Sequence, residues 1–295
     1  MNSEEFREFP CDLCGHDDAH EIDVLRRYTG DQPIHVCRNC GFVYVRRRRS
    51  PEAIARSWSE DIFQKGYTAR IPAVRARHAY VAEFINGSIG LAGKRLCDIG
   101  SGEGLFVDLV RKPEYGARVF AIEPSSANCR ALADLGVDAF QGIVEDYMAA
   151  GEPERGDFDI VTILWTLENC QSCRAMIEAA YDALAVGGHL VVATGSRLLV
   201  PFKKPLHDYL GDQAADAHCF RFSANTLAGL LAVSGFVVTH VNRYLDSDPL
   251  VMISHKTDRT NSISWDRDDW RAVLDFFHRW DVETRAFYPE DEIGA

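Results

Sequence analysis

The sequence predicts an α/β domain in which strands and helices alternate, preceded by a small cysteine-built module. Three observations carry this reading. Apolar runs of strand length at 95–99, 117–122, 158–164 and 188–194 are separated by amphipathic stretches of helix length. The first run ends in Asp98-Ile99, and glycines follow at 100, 102 and 104. Near the N-terminus stand two Cys-x-x-Cys pairs, Cys11/Cys14 and Cys37/Cys40, with 22 residues between them.

Residues 1–50 form the cysteine module. A glycine follows the second cysteine of each pair (Gly15, Gly41), permitting the tight turn that lets backbone amides face the thiolates. Nine cysteines, in a sequence whose acidic N-terminus lacks the apolar core of a secretory signal, point to metal or reduced thiols rather than disulfides. Four thiolates suit tetrahedral Zn2+ and leave no position open for water, so the expected zinc is structural. A module of about 45 residues has little core and needs such a staple. Residues 42–45 alternate as a strand, and Arg46 to Arg49 read as a solvated face.

Ser50-Pro51-Glu52 is a helix start, with serine as cap and proline in the first turn. Residues 51–94 are expected as a helical linker, with a helix over 72–88 and a lid over 58–67. The core spans 95–256. Its further strands are expected at 137–140, 236–243 and 250–255, and its helices at 103–112, 125–135, 172–185 and 223–234. Gly187-Gly188 and Gly235 each stop a helix before a strand. The insertion 196–222, rich in His, Pro, Lys and aromatics, has the length of a lid or binding element. In the tail, 257–295, Trp270, Val273, Leu274, Phe277 and Trp280 recur at helical spacing, which predicts a helix docked on the body or paired with a second copy. Cys97, Cys129 and Cys219 read as core or near-core positions, and the lone pair Cys170-x-x-Cys173 reads as core cysteines or a redox-active pair.

Composition narrows the function. The chain is 46% hydrophobic and 26% charged, an ordinary globular profile, and no apolar run reaches the ~18 residues a membrane span needs. A cytoplasmic protein is expected. The net charge of −12 is uneven: residues 1–95 hold 15 Lys+Arg against 13 Asp+Glu, and the acids concentrate beyond them. An acidic catalytic body argues against nucleic acid as partner. A small anionic acceptor held by a few arginines stays open, with Arg221 a candidate.

The glycine loop after the first strand makes a floor for a nucleotide-like ligand, because glycine lets a ligand approach the main chain. Glu123 ends the next strand, where a carboxylate can accept from both ribose hydroxyls and would repel a 2′-phosphate. The spacing is G-x-G-x-G, not the dinucleotide form G-x-G-x-x-G, which argues against a nicotinamide-dependent reductase.

These residues, with the strand 158–164 and the turn Ala185-Val186-Gly187-Gly188-His189-Leu190, resemble the class I S-adenosylmethionine-dependent methyltransferases over roughly 75–255. The resemblance implies a Rossmann-like, seven-stranded, mostly parallel sheet with S-adenosylmethionine at the carboxyl ends of the strands. It implies cofactor contacts from Asp98, Gly100, Ser101, Gly102, Glu123, Pro124, Gly142 and Leu164, with Tyr67 covering the cofactor.

Acceptor chemistry is expected from three segments: the lid, Trp165 to Asn169, and the insertion. A hydroxyl acceptor gains from a general base, and histidine suits that task near neutral pH. His218 is the first candidate, His207 the second, and Glu168 is either a substrate contact or an exposed loop acid. His218-x-Phe220-x-Phe222-Ser223 is similar to a segment of zinc-ribbon methyltransferases that modify sugars on nucleotide carriers. Those carry His-Glu-His where this chain has Asp216-Ala217-His218, and a further C-terminal domain for which this chain is too short. The resemblance thus implies O-methylation of a sugar hydroxyl on a nucleotide sugar or glycan precursor. Two alternatives stand beside it: methylation of RNA, using the arginine run, or of another small molecule, and a non-catalytic S-adenosylmethionine-binding subunit.

Overall fold

The computed structural model describes residues 6–58, 71–151, 156–195, 205–206, 210, 214–242, 249–259 and 264–287. Tyr67 and His207 lie outside them, so no position is assigned to either.

The N-terminal module contains strands β1 (Arg7–Glu8), β2 (Ala19–Glu21), β3 (Ile34–Cys37), β4 (Val43–Val45) and β5 (Arg47–Arg48), with a single helical turn α1 (Arg26–Thr29). Helix α2 (Pro51–Arg56) leaves it, capped by the Ser50 side chain accepting from the Ala53 N–H. Helix α3 (Ile71–Ile89) leads into the catalytic body.

The body alternates β6 (Arg95–Ile99), α4 (Leu105–Arg111), β7 (Arg118–Glu123), α5 (Ser126–Asp134), β8 (Asp138–Gln141), α6 (Val144–Ala150), β9 (Phe158–Leu164), α7 (Cys173–Ala183) and β10 (Leu184–Gly195). The insertion contains β11 (Phe220–Arg221), and after it come α8 (Ala224–Val233), β12 (Phe236–Val241), β13 (Pro249–Lys256) and α9 (Trp270–Phe287). Seven strands form one sheet in the order β12-β13-β10-β9-β6-β7-β8. β6 pairs parallel with both β7 and β9, and β9 with β10, whereas β13 is antiparallel to β10 and β12. The expected Rossmann-like, mostly parallel sheet is therefore observed. Its order reverses beside β6, where ligands of such sheets bind. Strands buried on both faces read as continuous apolar runs, which is why 158–164 and 188–194 are legible.

Two local expectations need correction. Helix α7 ends at Ala183, ahead of the glycine pair. Gly187-Gly188 instead sits at the irregular start of β10, where the register with β9 shifts between Leu184 and His189. Helix α6 was not anticipated. Its signature is two acids in the first turn, Glu145 and Asp146, and apolar Val144, Tyr147 and Met148 at helical spacing.

The module does not stand alone. β11, drawn from the insertion, joins β4, β3 and β2 in a four-stranded sheet, pairing Phe220 with Tyr44 and Arg221 with Val43. The tail helix packs on the same module: Val273, Phe277 and Trp280 bury against Leu25, Ile34 and Val36. Asp281 is buried and accepts from Tyr28 Oη at 3.0 Å and Arg285 Nη2 at 2.5 Å. Among the described residues, no helix is long and apolar enough to cross a membrane.

Candidate active site

The glycine loop takes the shape the spacing predicts. Gly100, Gly102 and Gly104 all have positive φ, at 77°, 55° and 82°. Gly100 donates to the Ile122 carbonyl at 2.8 Å, and Gly102 donates to Glu123 Oε2 at 2.8 Å. Glu123 Oε1 accepts from Ser125 N (2.9 Å) and Asn128 Nδ2 (3.2 Å). The carboxylate expected to grip a ribose thus also shapes the loop below it. An ionised carboxylate has about four acceptor sites, so beside these three bonds one site, on Oε2, is left for a ribose hydroxyl. Burial raises the Glu123 pKa, while the donated N–H bonds oppose that rise. Asp98 Oδ1 accepts from Thr162 Oγ1 at 2.5 Å, and burial pushes its pKa up to about 6.

Above this loop lies a cavity of about 620 Å³. Asp98, Gly100, Ser101, Gly102, Glu123, Pro124, Gly142 and Leu164 all line it, as do Glu168 and His218. Its far wall is Trp165, Thr166, Glu168 and Asn169, and its roof is Pro51, Ala55 and Trp58. His218 stands edge-on to the Trp58 ring at 5.2 Å.

Glu168 is not an exposed loop acid. It is 8% exposed, in a 3-10 turn (Leu167–Asn169), and its Oε2 has no protein partner. Burial pushes its pKa up to about 7, against bonds from Thr194 and the backbone. An unfolded glutamate ionises from about 4.3, so between there and about 7 the folded chain holds the extra proton. Stability therefore falls as pH rises through that window and levels off above it, by an amount on the order of 3 kcal/mol. Glu168→Gln is expected to flatten this decline, and thermal unfolding of both proteins from pH 5 to 8 measures it.

Two basic residues of the cavity, among others of its lining, escaped the sequence. His78, on α3, has an Nδ1 without a protein partner, and burial lowers its pKa to about 4. Arg77 lies 4.2 Å above the Trp165 ring. A basic pair on a helix carries no local signal for a site. Trp165 itself has φ 54°, the one non-glycine with positive φ among the described residues. Strained backbone of this kind clusters at functional sites.

Only part of the arginine run is a solvated face: Arg46 and Arg47 keep partly exposed side chains, whereas Arg48 and Arg49 are buried. Arg48 is 0% and Arg49 7% exposed. Arg48 donates to Asp12 Oδ2 (2.6 Å) and to the Gln171 carbonyl, between the rings of Phe9 and Phe220. The Arg48 and Arg49 guanidiniums are internal ties, while Arg46 and Arg47 stay near the surface, each beside an acid. Cys170 and Cys173 are buried, and burial raises both thiol pKa values well above the ordinary range, as core positions require.

Cys11, Cys14, Cys37 and Cys40 bring their sulfurs within 4.8 Å of one another. The Cys11–Cys40 and Cys14–Cys37 separations are 3.6 and 3.5 Å. That is far beyond a disulfide and close to the about 3.8 Å edge of a tetrahedral zinc–thiolate site. The residues present therefore fit Zn2+.

A family model described as "Methyltransferase domain" matches residues 72–241, more than half the chain. A ubiquinone biosynthesis O-methyltransferase of Cupriavidus pinatubonensis is 34% identical over 122 residues, covering 39% of this chain and 47% of that protein. One of Psychrobacter arcticus is 30% identical over 149 residues, covering 48% and 52%. The chain thus spans about half the length of the curated relatives it matches. Their names carry O-methylation, and the expected carbohydrate acceptor finds no support in them. Among solved structures, the fold resembles the 1,6-didemethyltoxoflavin-N1-methyltransferase of Burkholderia thailandensis, which holds S-adenosylhomocysteine (TM-score 0.54, 16% identity, 82% of this chain and all of that one). It also resembles a possible histamine N-methyltransferase of Thermotoga maritima (TM-score 0.52, 18% identity, 69% of this chain and all of that one). Sheet order, glycine loop and family match agree: the chain belongs to the class I S-adenosylmethionine-dependent methyltransferase domains.

Proposed function

We propose that the protein transfers the methyl group of S-adenosylmethionine to a hydroxyl of a small, flat acceptor, with His218 taking the hydroxyl proton. The observation that carries this reading is the convergence of His218 and Glu168 on the cavity floored by Asp98 to Gly102 and Glu123. The cofactor supplies an activated methyl group; the chain must align the acceptor oxygen with it and exclude water. Asp98, Gly100, Ser101, Gly102, Glu123, Pro124, Gly142 and Leu164 hold the cofactor in this reading. The Trp58 and Trp165 side chains flank the remaining space and favour a planar acceptor. Glu168, largely protonated below neutrality, offers an O–H or a lone pair to a second hydroxyl. The O-methyltransferase relatives support a hydroxyl rather than a nitrogen acceptor.

The test is turnover with methyl-labelled S-adenosylmethionine and simple dihydroxybenzenes such as 3,4-dihydroxybenzoate. His218→Ala is expected to lower kcat by about 10²- to 10⁴-fold, the usual worth of a general base, with cofactor affinity by calorimetry unchanged. Full turnover by His218→Ala would remove the histidine from the mechanism.

A further inference from the structure

The segment that carries His218 is held by the N-terminal module rather than by the methyltransferase sheet. Its 3-10 turn (Ala215–His218) continues into β11, and β11 is an edge strand of the module's own sheet. The Val45 N–H donates to the Cys219 carbonyl at 2.8 Å. On the other side, Trp58 Nε1 donates to the Ala217 carbonyl at 2.9 Å.

The strongest attachment is ionic. Asp216 is 0% exposed. Its Oδ2 accepts from the Arg49 backbone N–H at 2.9 Å, and its Oδ1 accepts from Arg49 Nη2 at 2.7 Å and Nε at 3.0 Å. Arg49 is in turn fixed from the methyltransferase side, since Gln171 Nε2 donates to its carbonyl at 2.6 Å. Gln171 lines the cavity. Arg174 reaches back to the Asp12 carbonyl at 2.7 Å and to the Leu13 carbonyl, inside the first cysteine knuckle.

A buried ion pair adds little net stability over well-packed apolar side chains of equal volume, because desolvation offsets the attraction. What it does supply is a fixed location: the forked guanidinium accepts one carboxylate geometry. This pair sits two residues from His218, in the same turn. We propose that Asp216, clamped by Arg49, is a positioning residue for His218, through which the cysteine module sets the geometry of the acceptor side of the cavity. The proposal rests on the reading of His218 as the base.

The experiment uses the full chain and compares Asp216→Asn, Asp216→Glu and Arg49→Lys. Arg49→Lys keeps the charge but loses the fork, and it serves if Asp216→Asn does not fold. Turnover is read with 3,4-dihydroxybenzoate as probe. The His218 Cε1–Hε1 NMR signal, assigned by its loss in His218→Gln, is read with S-adenosylhomocysteine bound. Expected for Asp216→Asn and Arg49→Lys is a kcat loss of about tenfold to a hundredfold, the cost of a misplacement near 1 Å. KM and cofactor affinity should stay within about twofold by the same reasoning, since the cofactor floor is untouched. The His218 signal should shift or broaden, and Asp216→Glu should recover part of the rate. Unchanged kcat together with an unmoved His218 signal overturns the proposal, as does a variant that only unfolds at lower temperature while keeping full kcat. Should His218→Ala keep its turnover, the base reading fails. The NMR signal then still decides whether Asp216 positions that side chain.

Discussion

Cys11→Ser or Cys40→Ser is expected to unravel the N-terminal module, on the proposal that the four cysteines hold one Zn2+ per chain. Structural zinc contributes on the order of 10 kcal/mol of folding free energy to small modules. The residues between β1 and α2 have only a thin core of their own, which they share with the tail helix through Phe277 and Trp280. Losing the metal leaves buried thiolates without a cation, since Cys11, Cys37 and Cys40 are all at or near zero exposure. The effect reaches past the module: β11 loses the strand it pairs with, and α9 loses the face it covers. The measurements are zinc content by mass spectrometry, protease sensitivity of residues 6–50, and calorimetry with S-adenosylmethionine. On that proposal the serine variants should lose the zinc, become cleavable in the module and still bind the cofactor, whose proposed floor lies at the carboxyl ends of β6 and β7. A native protein without zinc, equally stable in strong chelator, would sink this expectation.

What the sequence made legible follows from how local the determining physics is. The loop from Asp98 to Gly104 is readable because positive φ at three alternate positions leaves glycine as the residue of choice. The cysteine knuckles are readable for a similar reason: spacing and residue type together leave few alternatives. The arginine run misleads because its meaning is not local. Arg48 and Arg49 look like a charged face until Asp12, Gln171 and Asp216 close on them from 36, 123 and 167 residues away. β11 is invisible in the same way, because two residues carry no periodicity, and Phe220–Arg221 is a strand only because Val43 and Tyr44 offer an open edge. Glu168 reads as polar loop from its neighbours, and its burial depends on β10, through Thr194. His78 enters the cavity through the approach of α3 to Trp165, which no pattern within α3 announces.

Gly100→Ala is expected to abolish detectable cofactor binding while leaving a folded protein. At φ +77° an alanine is strained by about 1–2 kcal/mol before any contact is considered. Its Cβ would also fall 2.4 Å from Thr166 Cγ2 and 2.5 Å from Thr166 Oγ1. Thr166 cannot yield cheaply. It follows Trp165, already at φ 54°, and its hydroxyl bonds the Leu164 carbonyl at 3.2 Å. The displaced atoms would therefore be the Gly100 loop, the Trp165 wall, or both. The Gly102 N–H bond to Glu123 would be lost with the first, and the Arg77 stack with the second. A loss of at least about a hundredfold in affinity, near 3 kcal/mol, is the expected calorimetric result. Gly151→Ala separates backbone strain from the clash: its φ is +67°, yet an added Cβ meets nothing within 4 Å. That variant should lose about 1 kcal/mol of stability and bind S-adenosylmethionine normally. If Gly100→Ala also binds normally, the close approach between the glycine loop and Thr166 cannot be what shapes the cofactor site. The cavity would then have to form by movement of the Trp165 wall when the cofactor enters.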